Sequence, residues 1–124
     1  MYNYTGNKFP EKYLQEIRDH GLIPPVTAHG CHSMLVFIAQ GNYGTREMRI
    51  DLLKRGQADW TGHRVRVARS LHPGDGGIVR FVTAASKDHW RFSNENPLSH
   101  LHAMVQTHAG RQRYMQVSRL VKAD

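Results

Sequence analysis

Residues 63–85, HRVRVARSLHPGDGGIVRFVTAA, limit what this chain can fold into more than any other stretch. Val65 and Val67 alternate with Arg64 and Arg66 before a Pro-Gly-Asp-Gly-Gly segment, and Val79 and Phe81 alternate with Ile78, Arg80 and Val82 after it. A period of two marks a strand with one face buried. Pro presets one turn dihedral, Gly accepts positive φ, and Asp bonds its own backbone, so the central segment reads as a turn. The stretch is expected to be a β-hairpin. Val65 and Val67 share one face, and Arg64 and Arg66 share the other. With Val79 and Phe81 on the valine face, Arg80 joins the arginines.

Elements on either side follow from the same kind of pattern. Tyr13, Leu14 and Ile17 recur at helical spacing after Pro10, and Gly21 is a suitable stop, so a helix is expected over Pro10–His20. Ser33–Gln40 (SMLVFIAQ) is a short apolar run ending at Gly41-Asn42, and reads as a central strand buried on both faces. Thr45 is a suitable N-cap for a helix ending at Gly56, with Glu47 early and Lys54 and Arg55 late, as the helix dipole favours. Asn96 and Pro97 open a further expected helix along Leu98, Leu101, Met104 and Val105, stopped at Gly110. Arg113–Val121 reads as the last strand.

These elements give an α+β chain: an N-terminal helix plus a small antiparallel sheet packed with two helices. Their order matches the ferredoxin-like βαββαβ arrangement. One domain is expected over residues 1–124, with 1–8 flexible, 9–21 the N-terminal helix and 33–121 the α+β core. RNA-recognition modules share that element order and bind through the open sheet face. The likeness stops at element order, and Phe37 and Phe81 are expected in the core.

Charge narrows the partners. Seventeen Lys and Arg, mostly Arg, oppose ten Asp and Glu, for a net charge of +7. Arg offers a planar fork for phosphates and stacks on bases. The expected function is phosphate contact with nucleic acid through Arg64, Arg66, Arg69 and Arg80. Lys87, Arg91 and Arg113 extend the patch, and Arg111 and Arg119 lie nearby in sequence. An acidic protein partner is the competing expectation, as for a phage- or plasmid-type regulatory module. An exposed strand edge would also suit pairing with a second copy.

A small nuclease is the enzymatic alternative. His89, followed by Asn94 or Asn96 and then His100, has the order of a His-Asn-His centre, and two histidines can also act as acid and base on RNA. His29, Cys31 and His32 lack the spacing of a four-ligand zinc site, so no metal is expected. No phosphate-binding loop or dinucleotide fingerprint appears, and no cofactor is expected. Cys31 is the single cysteine, which excludes a disulfide within the chain. As a nucleophile it would need a paired histidine, and the adjacent His32 is a poor guide to contact in space. A buried, unreactive thiol is the expectation. No apolar run approaches the ~20 residues that cross a bilayer. No membrane association is expected, and the reducing cytoplasm is the default compartment.

Overall fold

The computed structural model describes residues 9–70, 73–86 and 92–123. Its fold is α+β, with three helices followed by a five-stranded antiparallel sheet. The helices are α1 (Glu11–Asp19), α2 (Ala28–Gln40) and α3 (Arg46–Trp60). The strands are β1 (Arg64–Val67), β2 (Gly77–Ala84), β3 (Leu101–Thr107), β4 (Gln112–Gln116) and β5 (Leu120–Lys122). Helices and strands are thus segregated along the chain, and the expected βαββαβ order is replaced.

Two expected elements change type. Ser33–Gln40 belongs to α2, not to a central strand. Its helix begins earlier, where Thr27 Oγ1 accepts the Gly30 N–H at 3.0 Å. Met34, Phe37 and Ile38 are buried and Leu35 and Val36 half-buried, so no polar stripe marks the helical period. The expected helix after Asn96 is only a 3-10 turn, Pro97–His100, leading into β3. The last expected strand divides into β4 and β5 around a second 3-10 turn, Val117–Arg119.

Thr45 does cap α3, its hydroxyl accepting the Met48 N–H at 3.2 Å. The helix continues past Gly56, which lies against the sheet. A Cβ there would fall 2.5 Å from Leu101 Cδ1, so the missing side chain permits the close approach.

Arg49 ties α2 to α3 from a buried position. Its guanidinium donates to the carbonyls of Ile38, at 3.0 and 3.3 Å, Tyr43 at 3.2 Å and Gly44 at 2.8 Å. Those groups lie at and beyond the last turn of α2, where carbonyls lack helical partners. Gln57 similarly holds the connector before α2, accepting from Ile23 N at 3.0 Å and donating to Ile23 O at 2.8 Å.

The sheet order is β4-β3-β2-β1-β5. Its two edge strands are therefore consecutive in sequence, joined by three residues. Four strand spacings of ~4.8 Å would separate flat edges by about 19 Å. Four Cα steps from Gln116 to Leu120 span at most about 15 Å. The sheet must curl, and one of its faces collects Val65, Val79, Val82, Leu101, Ala103, Val105, Met115 and Leu120, all buried.

The hairpin forms, with β1 and β2 paired through Arg64↔Ile78 and Val65↔Gly77 and backbone bonds joining Gly62 and His63 to Val79 continuing the ladder. Beyond it, β2 carries a register shift between Val79 and Phe81. This bulge corrects one expectation. Phe81 lies on the face opposite Val79, and Arg80 is the extra, exposed residue.

Candidate active site

The site begins at the cap of α2. Thr27 has extended backbone and its side chain closes the first helical turn. Cys31 ends that turn, its N–H bonded to Thr27 O at 3.1 Å. The side chain is fully buried, and Sγ–H donates to the Pro25 carbonyl at 3.2 Å. The N-terminal end of a helix favours negative charge.

Gly30 lets this turn rest on the sheet. A Cβ on Gly30 would lie 2.7 Å from Pro25 Cβ and 3.3 Å from the Phe81 ring. The contact is fixed by Thr83, whose Oγ1 donates to Gly30 O at 2.6 Å. Thr83 pairs with His102 across β2 and β3, and His102 pairs with Gln116 across β3 and β4. Directly opposed residues share a face, with Cβ atoms about 5 Å apart. Thr83, His102 and Gln116 therefore form one row, all three buried. Gln116 is anchored by Nε2 donating to Ser99 O at 2.9 Å.

Tyr114 closes the arrangement. It lies two residues from Gln116, on the same face, with its ring 5.7 Å from that of His102 and 6.0 Å from that of Phe81. Its hydroxyl is 2.6 Å from Thr27 Oγ1. Burial raises the phenol pKa above the ordinary 10.0; the Thr27 hydrogen bond lowers it, and negative charge at Cys31 raises it further. The phenol stays protonated near neutral pH. Thr27, Gly30, Thr83, His102 and Tyr114 thus form a closed ring of contacts that includes the first turn of α2, the turn that carries Cys31, and a histidine lies in the same row as the residue that holds that turn.

Sequence reasoning missed this grouping because residues 101–107 read equally well as a helix. Taken as a strand, LHAMVQT puts His102, Met104 and Gln106 on one face, and that alternation was the available signal.

The expected arginines occupy two places. Arg64 and Arg66 are exposed on the face of β1 opposite Val65, and Arg80 is exposed at the bulge. Arg69 and Arg113 instead line a groove of about 610 Å³, together with Arg119. Arg113 also pairs with Asp75 at 3.3 Å. Lys87, Arg91 and His89 lie outside the described residues.

His100 is buried elsewhere, at the start of β3. Its ring stacks on Phe92 at 4.9 Å and lies 5.3 Å from Tyr43 and 5.9 Å from Phe37. Its Nε2 is 3.1 Å from Asn94 Oδ1. Burial holds its pKa below the usual 6.5. With His32, Ser33 and Asn42 it borders a separate cavity of about 230 Å³.

No protein-family model matches the chain, and no curated protein or solved structure matches it.

Proposed function

We propose that the chain is a cysteine-dependent acyl-transfer enzyme, with Cys31 as nucleophile and His102 as general base and acid. The observation that carries this is the Thr83–Gly30 hydrogen bond of 2.6 Å, which sets the first turn of α2 on the strand row containing His102. A buried cysteine is ordinarily an inert core residue. Two features bear on the reading of Cys31: its place in the first turn of α2, and the Thr83 bond that seats that turn on the row containing His102.

The chemistry follows a Cys–His–amide division of labour. His102 takes the Cys31 proton, and the thiolate attacks an ester, thioester or amide carbonyl carbon. The tetrahedral adduct collapses as His102 returns the proton to the leaving oxygen, sulfur or nitrogen. A thioester on Cys31 remains. Water, deprotonated by His102, attacks that thioester, releasing a carboxylic acid and restoring the thiol. Gln116, fixed by Ser99, is the positioning residue beside His102.

Incubation with p-nitrophenyl acetate tests the proposal. It predicts a burst of p-nitrophenol close to one equivalent, an acetyl adduct on Cys31 by mass spectrometry, and neither in Cys31→Ala. The absence of an adduct from the unaltered chain would contradict it.

A second reading is phosphate binding to nucleic acid, favoured by Arg64 and Arg66, both exposed on one face of β1. It predicts oligonucleotide binding that weakens steeply as salt rises. Lack of binding at ~50 mM salt would end it.

A further inference from the structure

The groove of about 610 Å³ borders the thiol site through a shared residue, Tyr114. Its walls come from the end of β1, from β4, and from the 3-10 turn that joins β4 to β5. Arg69, Arg113 and Arg119 enter it from these three segments, with Ser70 and Ser118 between them. Among the described residues one carboxylate lines it, Asp75, engaged by Ser70 Oγ at 2.8 Å and by Arg113 at 3.3 Å. Three cations against one anion leave the groove net positive. Arg69 and Arg119 are exposed, and neither forms an ion pair among the described residues.

The seam is held by backbone, with Ala68 N donating to Arg119 O at 2.9 Å. Arg69 and Arg119 are thereby fixed on adjoining strand ends, despite like charge. Arginines from separate segments at one concavity present several N–H donors to an oxyanion.

We propose that this groove binds a side-chain carboxylate of a peptide substrate. The inference rests on the acyl-transfer reading, which requires a substrate with an amide or ester carbonyl. A peptide supplies both that carbonyl and the carboxylate.

The test uses the full chain carrying Cys31→Ala, which binds without turnover. Its probes are a fluorescein-labelled peptide with three consecutive glutamates, the same peptide with glutamines, and a 12-nucleotide single-stranded DNA. Fluorescence anisotropy at low salt is expected to show the glutamate peptide binding about tenfold tighter than the glutamine peptide. Arg69→Gln and Arg119→Gln should each remove most of that difference, and circular dichroism checks that both variants fold. Equal binding of the two peptides, or no effect of either substitution, would overturn the proposal. So would DNA binding tighter than the glutamate peptide and lost in the same two variants, which would give the groove to nucleic acid. Acetylation of Cys31 in the unaltered chain is scored separately, so failure of the groove is distinguishable from failure of the thiol chemistry.

Discussion

The hydroxyl groups of Thr27 and Tyr114 lie 2.6 Å apart, joining the cap of α2 to the middle of β4. Thr27 already accepts from Gly30 N, so one side chain both starts the helix and ties it to the sheet. Cys31, four residues on from Thr27 in the same helical turn, is fully buried.

Tyr114→Phe removes the bond and keeps the ring. Losing one neutral hydrogen bond costs ~1 kcal/mol. Opening over the thiol becomes more frequent, and alkylation of Cys31 by iodoacetamide should accelerate roughly fivefold at fixed pH. An unchanged rate would show that the bond does not cover the thiol.

Arg49 gives the largest expected loss of stability. Arg49→Ala leaves the carbonyls of Ile38, Tyr43 and Gly44 without their donor and hollows the joint between α2 and α3. Charge-assisted hydrogen bonds at a buried site put the cost at about 3 kcal/mol. Arg49→Lys should recover only part of it, because a single ammonium cannot reproduce the fork. Urea unfolding measures both variants, and a loss indistinguishable from zero in Arg49→Ala would refute the assignment.

The physical reasons for what could and could not be read in advance lie in particular residues. Thr45 was legible because its capping chemistry is local, and so was the hairpin, because β1 alternates and the turn is Gly-rich. The extent of α2 was hidden because Met34, Phe37 and Ile38 are buried, with Leu35 and Val36 half-buried between them, leaving no polar face to set a period. Leu98, Leu101 and Val105 fall at helical spacing, yet Leu101 begins a strand once β2 and β4 flank it. The bulge at Arg80 reversed the face of Phe81, and nothing local to VRF announces it. The candidate site depends on all three. Cys31 and His102 are far apart in sequence, and the turn that carries Cys31 reaches the row that holds His102 only if residues 28–40 are a helix and residues 101–107 a strand.

His100 should make stability depend on pH. Its pKa is lowered by burial, so in the window below 6.5 the unfolded chain takes up a proton that the folded chain refuses. Stability from this group is fully present above 6.5 and falls as pH drops through that window. His100→Phe keeps the stack with Phe92 and removes the titration, so its stability should fall less between about pH 7.5 and about pH 5. Equal losses in variant and parent, by urea unfolding at the two pH values, would contradict this.

The pairing of Cys31 with His102 is tested most directly by the rate of Cys31 alkylation with iodoacetamide as a function of pH. An ordinary thiol reacts along a curve centred near pH ~8.5. The account predicts that the unaltered chain still reacts at about pH 6, and that His102→Ala slows the reaction there at least tenfold while moving the curve toward the ordinary thiol. Coincident curves for the two proteins, both centred near ~8.5, would contradict it.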